Sequence, residues 1–304
     1  MPISSESKSI QSIIWFISYC FIYSVITTLI KTIMQQGIPL VQIIFFQTLV
    51  SSAILGVFAR KEIFNEKPSG KIFVVHFIRS IFWFGATLLF LDSLNHIALP
   101  KAMAISFSTP LFTIILAIIF LKEIMRKSYL ISLFLGIIGM LLIVRPGFSD
   151  YEPESLFVII ASFMWAITDI IIKRLGKVKG NANISWYFLA ISCIISLPLL
   201  PFYWVDMNIS QVGLMLLIGI FFTFSLTAIT QAYILGDMTI IQPFKFSSLI
   251  FVAIFAYFAF DEIVTLPTII GSIVIIVSTS YIAYNERKIH KQGLSYQVAK
   301  EVIK

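Results

Sequence analysis

Along the chain, apolar residues gather in ten blocks separated by short polar or turn-forming clusters: about 10–30, 39–58, 72–94, 99–121, 128–144, 155–175, 183–203, 210–235, 239–260 and 267–285. A helix rises about 1.5 Å per residue, so a block of about 20 residues crosses a hydrocarbon core of about 30 Å. The pattern predicts an all-α membrane protein with ten transmembrane helices. The connections are too short for a soluble domain, so function is expected to reside in the helices. The block from Ile240 to Phe260 breaks the pattern, because Lys245 sits inside it just after Pro243. A charge within a bilayer costs on the order of 3 kcal/mol or more, so it turns to a polar cavity or a partner, or snorkels to the headgroups along its stem.

Composition supports this class. Hydrophobic residues make up 59% of the chain and charged ones 12%, with a mean hydropathy of +0.96, outside the range of soluble domains. The formal charge of +7 is topological and does not point to nucleic acid, since the basic residues flank the apolar blocks. With the N-terminus inside, Lys8, the loops at 60–71, 122–127 and 173–179 and the tail from Arg287 hold 17 of the 22 lysines and arginines. Both termini are therefore expected in the cytoplasm. The basic tail, 286–304, is expected to lie along anionic lipid headgroups. Cys20 and Cys193 lie in apolar runs, which suits packing and gives neither a disulfide framework nor a metal spacing.

The chain also repeats itself. With Lys122-Glu123 placed over Asp261-Glu262, an offset of 139 residues, Phe107 falls on Phe246, Ser108 on Ser247, Ser132 on Gly271 and Gly139 on Ser278. Each half then holds five spans, 10–144 and 155–285, following a short cytoplasmic segment, 1–9. Because five is odd, the second half must insert upside down. An inverted five-plus-five repeat is a sequence sign of an alternating-access carrier.

The run QAYILGDMTIIQPFKFSSLIFVAIFAYFAFDE resembles the signature end of EamA-type carriers of the drug/metabolite transporter superfamily, as do HFIRS at 76–80, SFSTPLFTIILAIIFLKE at 106–123 and GIIGMLLIVRPG at 136–147. The likeness covers roughly residues 10–285. It implies ten helices, an inverted repeat and cytoplasmic termini. Within the family the wording is most similar to the branch of S-adenosylmethionine uptake carriers of intracellular bacteria. Two positions depart from that branch: Lys245 stands where arginine is expected, and Thr27 where an aspartate would precede Lys31.

Few charged or amide groups lie within the spans, and several share a depth. Arg79 is about seven residues from the inner end of its span, Asp169 about six, Lys245 about five and Gln231 about four. Gln47 is nearer the midplane. These five, with Trp83 and Trp165 one turn from Arg79 and Asp169, are the candidate substrate-binding residues. Each also has a structural reading. Arg79 can anchor its helix at headgroups, Asp169 can pair with Lys173 one turn on, and Gln231 and Gln42 can join helices. His76 is either interfacial or a proton relay, and the tryptophans suit core packing as well as stacking. Pro110 and Pro243 occupy comparable regions of the two halves and free backbone carbonyls there.

No glycine-rich phosphate loop, metal spacing or nucleophile elbow occurs, so neither a catalytic residue nor a cofactor is assigned. The leading expectation is a secondary transporter of the bacterial inner membrane that moves a small organic metabolite. S-adenosylmethionine or a similar zwitterion fits the paired charges and rings. An intramembrane enzyme and a non-transporting assembly subunit are the alternatives, and metabolite flux without chemical change discriminates among them.

Overall fold

The computed structural model describes residues 5–64, 68–121, 127–144, 152–236, 244–245, 247–274, 276–278, 280–281 and 284. All regular structure among these residues is helical. The helices are α1 (Ser5–Gln35), α2 (Leu40–Phe58), the short α3 (Arg60–Phe64), α4 (Gly70–Ser93), α5 (Leu99–Ser106), α6 (Thr109–Leu121), α7 (Lys127–Val144), α8 (Ser155–Leu175) and α9 (Asn181–Ser196). They are followed by α10 (Leu200–Tyr203), α11 (Ile209–Leu235), α12 (Ser247–Phe260) and α13 (Leu266–Ser278). Six stretches among the described residues are long and apolar enough to cross a membrane: Gln11–Gln35, Leu40–Phe58, Gly70–Ser93, Ser155–Leu175, Asn181–Tyr203 and Ile209–Leu235. The protein is a multi-pass membrane protein.

Local chemistry explains the breaks. Gly37, at φ 85°, ends α1 in a left-handed turn in which Ile38 N bonds to Ile33 O and Gly37 N to Met34 O. Pro39 then caps α2. At the start of α11, Asn208 and Gln211 form a reciprocal capping box. The block expected as one helix over 99–121 is instead two, α5 and α6. Pro110 has no amide proton and its ring crowds the carbonyl four residues back, so the ladder fails at Ser106 O. Thr109 Oγ1 donates to that carbonyl at 2.7 Å, and the amides of Phe107 and Ser108 close tighter turns onto Ala104 O and Ile105 O. Of the block expected over 239–260, Phe244 and Lys245 form a helical turn and α12 runs from Ser247, while Phe246 lies outside the described residues. Pro243 itself lies outside the described residues.

The bundle is apolar outside and partly polar within. Ile209 is 93% exposed and Phe258 81%, whereas Arg79 and Gln47 are each 2% exposed. Lipid accounts for the first pair, and the second pair needs protein or ligand partners. Helices from the two halves of the chain interleave: α1 packs on α11 and α12, α4 on α8 and α9, and α2 on α9 and α11. Small residues allow close approach. A Cβ on Gly271 would meet Gly139 O at 2.6 Å and Ile143 Cγ1 at 2.4 Å. Gly271→Ala is therefore expected to destabilise the protein by about 1–3 kcal/mol. Gly213→Ala, with nothing within 4 Å of its Cβ, is the neutral comparison in thermal denaturation in detergent.

Candidate functional site

A cavity of about 1090 Å³ of empty space, its opening to solvent included, lies among α1, α2, α4, α5, α8, α11 and the turn before α12. Six of the seven candidate residues line it: Gln47, Arg79, Trp83, Trp165, Asp169 and Lys245. Gln231 is not among the lining residues. Its amide oxygen accepts from Asn181 Nδ2 at 3.1 Å, joining α11 to α9. Gln42 plays a similar part, exchanging two hydrogen bonds with the backbone of Val205.

The spacing along each helix sets the arrangement. On α4, Arg79, Trp83 and Thr87 follow one another at intervals of four and form one stripe facing the cavity. On α8, Trp165, Thr168, Asp169 and Ile172, at i, i+3, i+4 and i+7, form a second stripe on the cavity. Arg79 is pinned rather than mobile: Nη1 donates to Ile184 O at 3.2 Å, and the guanidinium sits 4.2 Å from the Phe188 ring centroid. Trp83 packs edge-on against Phe188 at 5.1 Å and tilted against Phe222 at 5.5 Å. Trp165 lies 5.1 Å from Phe90. The tryptophans thus serve the core and the cavity wall together.

Asp169 is buried, with Lys245 and Arg79 as its neighbouring positive charges and Tyr233 as its hydrogen-bonding neighbour. Ion pairs between described residues include Lys31–Glu262 and Lys101–Glu152, and His96 Nδ1 lies 3.9 Å from Glu154 Oε1. The cavity charges are not joined in this way, so carboxylate and cations face one space. Lys173 instead directs its ammonium to the carbonyls of Gly236 and Tyr233, where the C-terminal end of α11 attracts a cation. His76 is fully buried against Tyr187, with neither ring nitrogen hydrogen-bonded, and lies outside the cavity lining.

Several lining residues carried no separate signal in the sequence. Tyr19, Tyr23 and Tyr233 bring phenol groups to the charged part, while Thr27, Thr87 and Ser106 add hydroxyls. Gln47 Oε1, Arg79 Nε and Thr87 Oγ1 are buried and have no hydrogen-bond partner in the protein. Buried polar atoms are usually satisfied, and these three belong to residues that line the cavity. Among the described residues, no group of three or more His, Cys, Asp or Glu side chains is placed to hold a metal ion.

An apolar helical bundle whose buried cavity holds both signs of charge defines a membrane transport protein for a small molecule. The chain belongs to the EamA-like transporter family, whose pattern matches it twice, over residues 10–145 and 153–284. It is 29% identical over 273 residues to an S-adenosylmethionine uptake transporter of Rickettsia prowazekii, covering 88% of this chain and 92% of the relative. A riboflavin transporter of Brucella anthropi is 26% identical, with 82% and 89% covered. A solved crystal structure superposes with a TM-score of 0.67 at 14% identity, covering 91% of this chain and 98% of the other, which shows a shared fold.

Proposed function

We propose that this transporter is a secondary carrier of the bacterial inner membrane that takes up S-adenosylmethionine, or a metabolite with the same zwitterionic, ring-bearing build, by alternating access. The observation that carries this reading is the cavity where Asp169, Arg79 and Lys245 face one space without closing on one another. A ligand carboxylate would meet Arg79 or Lys245, and a sulfonium or ammonium would meet Asp169. A planar ring would lie against the aromatic wall. The S-adenosylmethionine uptake transporter of Rickettsia prowazekii supports the cargo.

An inverted repeat, 10–144 against 155–285, accounts for the packing. Exchange each span for the one five places later, and α1 on α11 becomes α8 on α4, while α1 on α12 becomes α8 on α5 and α6. Likewise α2 on α11 becomes α9 on α4, and all of these contacts occur. The same offset of 139 residues carries Ser106, at the break between α5 and α6, onto Lys245, and both line the cavity. Discontinuous helices at a central site are the usual carrier arrangement.

The basic loops put both termini in the cytoplasm and the Lys31–Glu262 end of the bundle outside. Single cysteines near Lys67, Lys127 and Lys177 are expected to resist an impermeant thiol reagent in intact cells, while one near Asp206 reacts. The reverse pattern would overturn the orientation. The cargo is tested by uptake of labelled S-adenosylmethionine into cells expressing the chain, competed by a metabolite panel, with the recovered label checked for chemical identity. No uptake above control cells, and no competition by S-adenosylmethionine against whichever metabolite is taken up, would exclude it as cargo.

A further inference from the structure

The unsatisfied atoms of the cavity wall fall into two groups by depth. Gln47 is seven residues into α2 from Leu40, and Thr87 is six residues before the end of α4 at Ser93, so both lie roughly 10 Å from the Lys31–Glu262 end. Asp169 is 14 residues into α8 from Ser155, which begins at that same end, placing it roughly 21 Å deep. The cavity therefore has a charged part at Asp169, Arg79 and Lys245 and a neutral part nearer the Lys31–Glu262 end. At the neutral part, Gln47 is 2% exposed and Thr87 7%. Gln47 Oε1, a hydrogen-bond acceptor, and Thr87 Oγ1, able to donate or accept, are both unpartnered. Phe90, three residues after Thr87 on α4, and Trp165 line the same cavity with ring centroids 5.1 Å apart.

A carbonyl and a hydroxyl left unsatisfied in a cavity wall that also carries aromatic rings call for a flat ligand with a polar edge, one that donates to the first and accepts from, or donates to, the second. An amino group next to a ring nitrogen supplies such an edge. We propose that Gln47 and Thr87 form a ring-edge subsite for a flat nitrogen heterocycle of this kind, a 6-aminopurine, held against Phe90 and Trp165 while the charged residues hold the amino-acid end. The exocyclic amine donates to Gln47 Oε1, and Thr87 Oγ1 donates to a ring nitrogen. The subsite rests on the substrate reading above and assigns the specificity for the ring to two neutral residues.

The probes are adenosine and purine riboside, which has nearly the same shape but lacks the 6-amino group. With the purified full chain in detergent, adenosine is expected to raise the melting temperature with a half-saturating concentration at least tenfold below that of purine riboside. A site built around a hydrogen bond rejects the analogue that cannot make it. Gln47→Leu is expected to reduce that ratio to threefold or less, and Thr87→Val, which keeps the side-chain shape, to lower it as well. A wild-type ratio under tenfold, no stabilisation by either riboside, or an unchanged ratio in the variants would overturn the subsite. If one variant does not fold, the wild-type ratio and the other variant decide. Uptake of labelled S-adenosylmethionine, measured in parallel, separates the two claims. Uptake without adenosine preference keeps the cargo and removes the subsite, whereas preference without uptake keeps the subsite and removes the cargo.

Discussion

The Asp169→Asn variant is expected to insert and fold, yet to transport at least thirtyfold more slowly than the wild type. Its amide can still meet the Tyr233 hydroxyl, and Arg79 keeps its bond to Ile184 O and its stacking on Phe188. What is lost is the only acidic side chain among the described residues of the cavity lining. A ligand cation would then be desolvated without a counter-charge, and truncating one partner of a buried charge pair costs about 2–5 kcal/mol, which is about thirtyfold or more in affinity. Lys245→Met is expected to weaken transport by the same reasoning applied to a ligand carboxylate. Transport by Asp169→Asn within threefold of wild type, at equal protein in the membrane, would show that Asp169 is structural.

The second large effect is expected at the other end of the cavity. Lys31, 5% exposed, pairs with Glu262 Oε1, and its ammonium lies 5.0 Å from the Phe260 ring centroid. Glu262 Oε2 accepts from Leu99 N, the first amide of α5, at 3.0 Å. The carboxylate is aimed there by a local turn: Asp261 takes a φ of 55°, ending α12, and Glu262 N bonds back to Ala256 O. Three parts of the chain, two from the first half and one from the second, are thereby joined, with Lys101–Glu152 and His96–Glu154 tying the first half to the connection between the halves nearby. On the proposed orientation and mechanism these contacts would act as a gate at the outer end. Removing one partner of a largely buried pair costs about 3–5 kcal/mol, and about 1.4 kcal/mol of that acting on the closed state alone gives a tenfold shift. In a background with Cys20 and Cys193 replaced, a reporter cysteine at Ile30, in the cavity wall, is expected to react with an impermeant thiol reagent at least tenfold faster in Lys31→Met and Glu262→Gln. The exchanged pair, Lys31→Glu with Glu262→Lys, is expected to restore closure only in part, since a lysine cannot accept from Leu99 N. Unchanged reactivity in all three variants would exclude a gate.

Much of the site was legible in the sequence because charge within an apolar block is conspicuous. Arg79, Asp169 and Lys245 stood out by type and shared a depth by counting, and all three line one cavity. Gln231 shared that depth too, but depth leaves the direction around the helix open, and its amide is turned to Asn181. Thr87 was not singled out because a threonine in a membrane helix commonly bonds its own backbone, and nothing local marks one that does not. The link between Lys31 and Glu262 spans 231 positions, and no local pattern encodes such a pairing. Among the helices, the apolar blocks forecast existence well and continuity poorly. Pro110 was noticed as freeing a backbone carbonyl, but the break depended on Thr109 taking over that carbonyl, of Ser106.

On the proposed function, this chain alone moves a zwitterionic metabolite through the Asp169 cavity without altering it. Counterflow tests it most directly: proteoliposomes containing only the purified chain are loaded with unlabelled S-adenosylmethionine and placed in a trace of the labelled compound. Transient accumulation of chemically intact label is expected with the wild type and not with Asp169→Asn. No accumulation above empty liposomes, or equal accumulation in the two proteins, would contradict the account.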